Sequence, residues 1–155
     1  MKTTIRIITA IAAMIAAAPA VAQDAKKAEL PRLGQAAFRL TTPGGKVIMI
    51  DPWLATNPRT PEKWKNLDEL AKVDLILVTH AHNDHLGNVP ELAKKHNVPV
   101  WSPAGLGSSL ATLGILPANL APRIDKGGVL KPWGDAGVKI TATQAEHSSS
   151  SRKTA

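Results

Sequence analysis

The 155-residue chain contains no cysteine and no tyrosine, and its five aromatic residues are four Trp and one Phe. Without cysteine there is no disulfide framework, no thiolate-ligated zinc and no thiol nucleophile, so any metal site has to be built from His, Asp and Glu. Acidic residues are also few, 12 against 19 Lys and Arg, for a formal charge of +7. The basic residues are scattered, the densest clusters being Lys63-Trp64-Lys65 and Lys94-Lys95. A nucleic-acid surface needs a basic stripe interleaved with stacking aromatics, whereas Lys94 and Lys95 follow Glu91 by three and four residues, the pattern of a solvated helix face. No nucleic-acid partner is expected. Long apolar runs are missing too: the longest, residues 7–18, is shorter than the roughly 20 residues needed to span a bilayer.

What is present is the composition of a globular protein, 44% hydrophobic and 20% charged, at a length that holds one domain. Lys2 and Arg6, the apolar run 7–18 and the small-residue stretch Ala20-Val21-Ala22 together read as a secretory signal peptide over residues 1–22. Its Ala-rich, Lys-led form points to a bacterial exporter and a periplasmic or secreted product, with no membrane attachment after cleavage. Losing Lys2 and Arg6 lowers the formal charge from +7 to +5. Residues 23–32 read as a polar leader, 33–150 as the folded domain and 151–155 as a tail.

Within the domain, residues 35–40 and 46–50 flank Thr42-Pro43-Gly44-Gly45, where Pro presets φ and Gly supplies a positive φ, so a β-hairpin is expected. Asn66-x-x-Glu69 has the form of a capping box and predicts a short helix over 67–72. Residues 74–79 form a near-continuous apolar run, the pattern of a strand buried on both faces, and it leads directly into His80. Asn88-x-x-Glu91, with Pro90 confined to the first turn, predicts a helix to His96 closed by Asn97. Extended structure at 98–101, a helix at 104–113 and strands at 129–131 and 138–143 complete an α/β order with an antiparallel start.

Three His and one Asp fall within six residues, in Thr79-His80-Ala81-His82-Asn83-Asp84-His85, at the carboxyl end of the buried strand. Imidazole and carboxylate are ordinary ligands of Zn, Mn and Fe. Residues two apart in an extended backbone project to the same side, so His80 and His82 can grip one ion together, while Asp84 and His85 address a neighbouring position. His147 follows the last strand at the same kind of strand terminus as His80. Three imidazoles on one zinc leave a fourth position for a water whose pKa falls to about 7.

The HxHxDH run of His80, His82, Asp84 and His85 resembles the signature of the metallo-β-lactamase superfamily. The flanking Ile50-Asp51-Pro52-Trp53-Leu54, Val73 to His80, and Ala145-Glu146-His147-Ser148-Ser149 are similar to the branch of metal-dependent hydrolases that includes the ascorbate-6-phosphate lactonases. The resemblance runs from about Leu33 to Ser150 and implies an αββα sandwich, of which this chain supplies the amino-terminal half. It implies that His80, His82 and His147 hold a first metal, that Asp84 and His85 contribute to a second, and that Asp84 orients or deprotonates the attacking water. Asp51 would lie behind the ligands and fix an imidazole tautomer; it is equally a strand-terminal turn former before Pro52. Family members carry a bridging aspartate and a final histidine beyond the third His. Asp125 and Asp135 precede His147, and Ser148 to Ala155 hold no Asp, Glu or His, so a fragment or truncated product is expected.

The function these readings imply is an exported hydrolase in which a zinc-bound hydroxide attacks an ester, lactone, amide or phosphodiester of a small-molecule substrate. Two zinc ions are expected by resemblance, or one if the second site is incomplete, with Mn or Fe as substitutes. The alternative is a non-catalytic metal-binding remnant, or a half-site completed by a partner subunit in an oligomer. A β-lactamase ranks below both, because the flanking residues resemble the lactonase-like branch.

Overall fold

The computed structural model describes residues 27–135 and 137–147. The expected signal peptide over 1–22 and the tail 151–155 lie outside the described residues. Among the described residues, no helix is long and apolar enough to cross a membrane.

Five strands form one sheet in sequential order: β1 (Arg32–Gly34), β2 (Ala37–Thr41), β3 (Val47–Ile50), β4 (Leu75–Leu77) and β5 (Val100–Trp101). β1, β2 and β3 pair antiparallel, and β3, β4 and β5 pair parallel. The expected hairpin is thus β2–β3, with Gly45 at φ +75 in its turn. A second, two-stranded sheet joins β6 (Val129–Leu130) to β7 (Ile140–Thr141). The helices are α1 (Asn83–Leu86), α2 (Val89–His96) and α3 (Ala104–Thr112), with short 3-10 turns at Glu62–Trp64, Leu67–Glu69 and Ala118–Leu120.

Alternation along the strands separates the two sheet faces. Met49, Ile76 and Val100 stand side by side across β3, β4 and β5 and pack with Val89, Leu92 and Ala93 of α2 and Leu110 of α3 in the main core. Ile48 and Leu75, paired on the opposite face, are also buried. Removing a side chain such as Ile76 from this core costs about 2–5 kcal/mol.

Three local expectations were altered by the structure. The helix expected over 67–72 stops after one 3-10 turn: Asn66 Oδ1 caps the Asp68 N–H at 3.1 Å, but Leu70 is already extended. Pairing begins before residue 33, with Glu29 and Thr41 exchanging backbone hydrogen bonds of 2.9 and 2.8 Å and β1 starting at Arg32. Asn88 precedes α2 as expected, yet its side chain makes no cap. Its Oδ1 instead accepts from the backbone N–H groups of Leu54 and Ala55 at 2.8 and 3.0 Å. Asn97 does close α2, in the left-handed region at φ +50.

Candidate metal centre

The parallel register of β3 and β4 sets Ile50 beside Leu77, so the chains leaving the two strands carry Asp51 and Thr79-His80 to one edge. In open α/β sheets this carboxyl edge is where ligands gather. Asp51 is buried and left-handed, with φ +46, a region that Asp tolerates better than most residues. Its Oδ1 accepts from the Thr79 N–H at 2.8 Å. Its Oδ2 is 2.8 Å from both the Thr79 hydroxyl and His85 Nδ1.

These contacts determine the imidazole tautomers. A carboxylate only accepts, so Thr79 Oγ1 spends its one proton on Asp51, and His85 donates from Nδ1. The Thr79 oxygen is then an acceptor toward His80 Nδ1, 3.0 Å away, and His80 carries its proton there. In both rings this leaves the lone pair on Nε2, the form a metal requires. Burial first, then the neighbouring His85, His147 and His82, hold the His80 pKa below its ordinary value; Asp51 opposes them. The shift favours the uncharged imidazole, the form in which His80 could bind a metal.

His82 has an extended backbone and caps α1, so the motif changes from strand-like to helical geometry in its middle. His80 Nε2 lies 2.9 Å from His82 Nδ1, and His147 Nε2 lies 3.3 Å from the same atom. One ligand nitrogen from each of His80, His82 and His147 falls within 4.8 Å of the others. Nitrogens bound to one tetrahedral zinc at about 2.0–2.1 Å stand roughly 3.3 Å apart, so the three imidazoles fit a single ion. Residues 65 positions apart have been brought to it.

Asp84 and His85 lie on the α1 turn beside this cluster rather than in it. The His85 ring centroid is 4.0 Å from that of His80, and His85 Nε2 is 3.9 Å from Asp84 Oδ2. Sequence reasoning missed Gln35 and gave Thr79 no role of its own. Gln35 Nε2 donates to Asp84 Oδ2 at 3.2 Å across 49 positions, a contact with no local signal; Thr79, directly before His80, was in view as part of the motif.

A groove of about 620 Å³ opens next to His80, lined by Asn83, Leu86, Leu106, Leu110 and Ile115 among others. Its size is that of a small-molecule site with a largely apolar wall.

Residues 46–155 match the family model described as the β-lactamase superfamily domain. A UPF0173 metal-dependent hydrolase of Cupriavidus necator is 57% identical over 131 residues, which cover 84% of this chain and 45% of the relative. Another from Polynucleobacter asymbioticus is 48% identical, with 92% and 50% covered. The chain thus spans about half the length of the curated relatives it matches. The structure of Igni18, a metallo hydrolase from the archaeon Ignicoccus hospitalis, superimposes with a TM-score of 0.65 at 30% identity, covering 79% of this chain and 50% of that one. With a family match over most of its length and a solved metallo hydrolase sharing its fold, this chain belongs to the metallo-β-lactamase superfamily.

Proposed function

We propose that the chain carries the amino-terminal ligand set of a metal-dependent hydrolase that cleaves an ester, lactone, amide or phosphodiester. The observation that carries this reading is the convergence of His80, His82 and His147 on one point. These three residues hold a first ion, zinc in preference to Mn or Fe, and Asp84 and His85 address a second. A bound ion supplies Lewis acidity and brings the pKa of water toward 7. The chain's own contribution is to orient the His85 and His80 imidazoles, through Asp51 and Thr79, and to place the Asp84 carboxylate where it takes the proton from an attacking water. The groove beside His80 receives the small-molecule substrate against its largely apolar wall. The basic, apolar and small-residue pattern of residues 1–22 supports export to the periplasm.

A second reading is favoured by the coverage: the chain spans about half of its relatives, so the centre is a half-site completed by further polypeptide, from the same gene or a partner subunit. Metal content per chain, measured by elemental analysis after loading with zinc and dialysis, separates the two. About two ions, with turnover of ester or lactone substrates lost in Asp84→Asn, supports the hydrolase. One ion without turnover supports the half-site, and no bound ion overturns both.

A further inference from the structure

The β1–β2 turn is more constrained than a chain reversal requires. Gly34 has φ +115, and a Cβ there would lie 2.9 Å from the carbonyl carbon and oxygen of Arg59 and the nitrogen of Thr60, so only glycine fits. Gln35 follows at φ +49, a left-handed conformation that costs a residue with a side chain about 1–2 kcal/mol. Arg32 Nε donates to the Gln35 carbonyl at 2.8 Å and holds the peptide in place. Strain of this kind persists where the surroundings over-determine it, and it concentrates at functional sites.

The side chain delivered by this turn reaches Asp84. Gln35 Nε2 donates to Asp84 Oδ2 at 3.2 Å, and because a carboxylate only accepts, the amide has to present its nitrogen. Among the described residues this is the one hydrogen bond that the Asp84 carboxylate receives, His85 Nε2 standing at 3.9 Å. The donor is neutral. A Lys or Arg in its place would neutralise Asp84 and compete with a cation, whereas an amide restrains the carboxylate and leaves its charge intact.

We propose that Gln35 is a positioning residue for Asp84: its amide fixes one carboxylate oxygen, so that the other is presented in a set orientation to the second ion or to the water Asp84 deprotonates. The proposal rests on the role given to Asp84 above, and it places the β1–β2 turn within the working centre although it lies outside the HxHxDH segment. Gln35→Asn is the informative substitution, since Asn accepts the left-handed backbone and retracts the amide by one methylene. Gln35→Met keeps the length and removes the donor.

The test is a cobalt(II) titration of the full chain, followed by visible absorption, for both variants alone and combined with Asp84→Asn. Each Gln35 variant is expected to weaken binding by about tenfold, the lower end for loss of a group that orients a ligand. In the Asp84→Asn background the same changes should shift affinity by less than about twofold, as for residues acting through one another. Undiminished binding in the Gln35 variants while Asp84→Asn weakens it overturns the proposal. So does an equal loss in both backgrounds, which would mark Gln35 as purely structural. If Asp84→Asn itself binds cobalt like the parent chain, the reading of Asp84 fails and the proposal with it, a result distinct from either.

Discussion

Asp51 and His85, 34 residues apart in the chain, meet at 2.8 Å between Oδ2 and Nδ1. The same carboxylate accepts both the N–H and the hydroxyl of Thr79, so a single buried acid orients His85 directly and His80 through Thr79. Groups in this position behind metal ligands are worth 10–100-fold in metal affinity.

Asp51→Asn keeps a residue that tolerates φ +46 and removes one acceptor oxygen. Either Thr79 or His85 then loses its partner, at a cost of about 1–3 kcal/mol. Urea denaturation of the metal-free chain should show that loss, and a competition titration should show zinc affinity lowered at least about tenfold. Unchanged values in both measurements would remove Asp51 from the centre.

Thr79→Val preserves shape and deletes the hydroxyl that links Asp51 to His80. Zinc affinity is expected to fall by about tenfold, whereas Thr79→Ser, which keeps the hydroxyl, should stay within about twofold. Equal behaviour of the two variants would show that the methyl group, not the hydrogen bond, matters.

Gly87 joins α1 to α2 where a Cβ would lie 2.7 Å from Cα, Cβ and Cδ1 of Trp53. Part of that clash is with backbone, so it cannot be relieved by a rotamer change alone. Gly87→Ala is expected to cost about 1–3 kcal/mol, as overpacking does, and to disturb the turn carrying Asp84 and His85. A thermal melt equal to that of the parent would contradict this packing.

Asp74 is partly shielded, which by itself raises its pKa; the Val47 N–H and the ammonium groups of Lys72 and Lys46 outweigh that burial and leave the pKa lowered. A carboxylate depressed on folding adds stability above its unfolded pKa of about 3.9. That contribution is lost as pH falls through the folded pKa. Asp74→Asn should therefore lower stability at pH 7 and flatten the acid side of the profile below about pH 4. Parallel curves for the two proteins from pH 2 to 7 would refute the assignment.

Much of the fold was legible because it is written in local patterns. Thr42-Pro43-Gly44-Gly45 marks the hairpin, the apolar runs at Val47 and Leu75 mark the two central strands, and Asn97 marks the end of α2. Similarly, the spacing of His80 and His82 announced their meeting, which the structure achieves with a bend at Ala81 between them. What was not legible depends on distant partners. β1 is three residues long, and its first residue, Arg32, looks like leader until it pairs with Phe38. The 3-10 turn at Leu67–Glu69 had every signal of a helix start but no apolar face long enough to sustain one. Asn88 fits a capping box by spacing, yet two amides from the loop after β3 claim its oxygen. Gln35 offered no cue, since its role exists only once β1 and β2 bring it over Asp84.

Asn88 has one more consequence. Its carboxamide oxygen is the hydrogen-bond partner of two backbone N–H groups, those of Leu54 and Ala55, and its own N–H donates to the Pro52 carbonyl at 2.9 Å. Leu54 is fully buried, so neither water nor another strand competes for its amide. Deuterium enters the Leu54 position when the joint between α1 and α2 releases the loop. Its exchange rate thus forms a clock for the opening of the turn that bears His82, Asp84 and His85, readable in the resting protein without substrate.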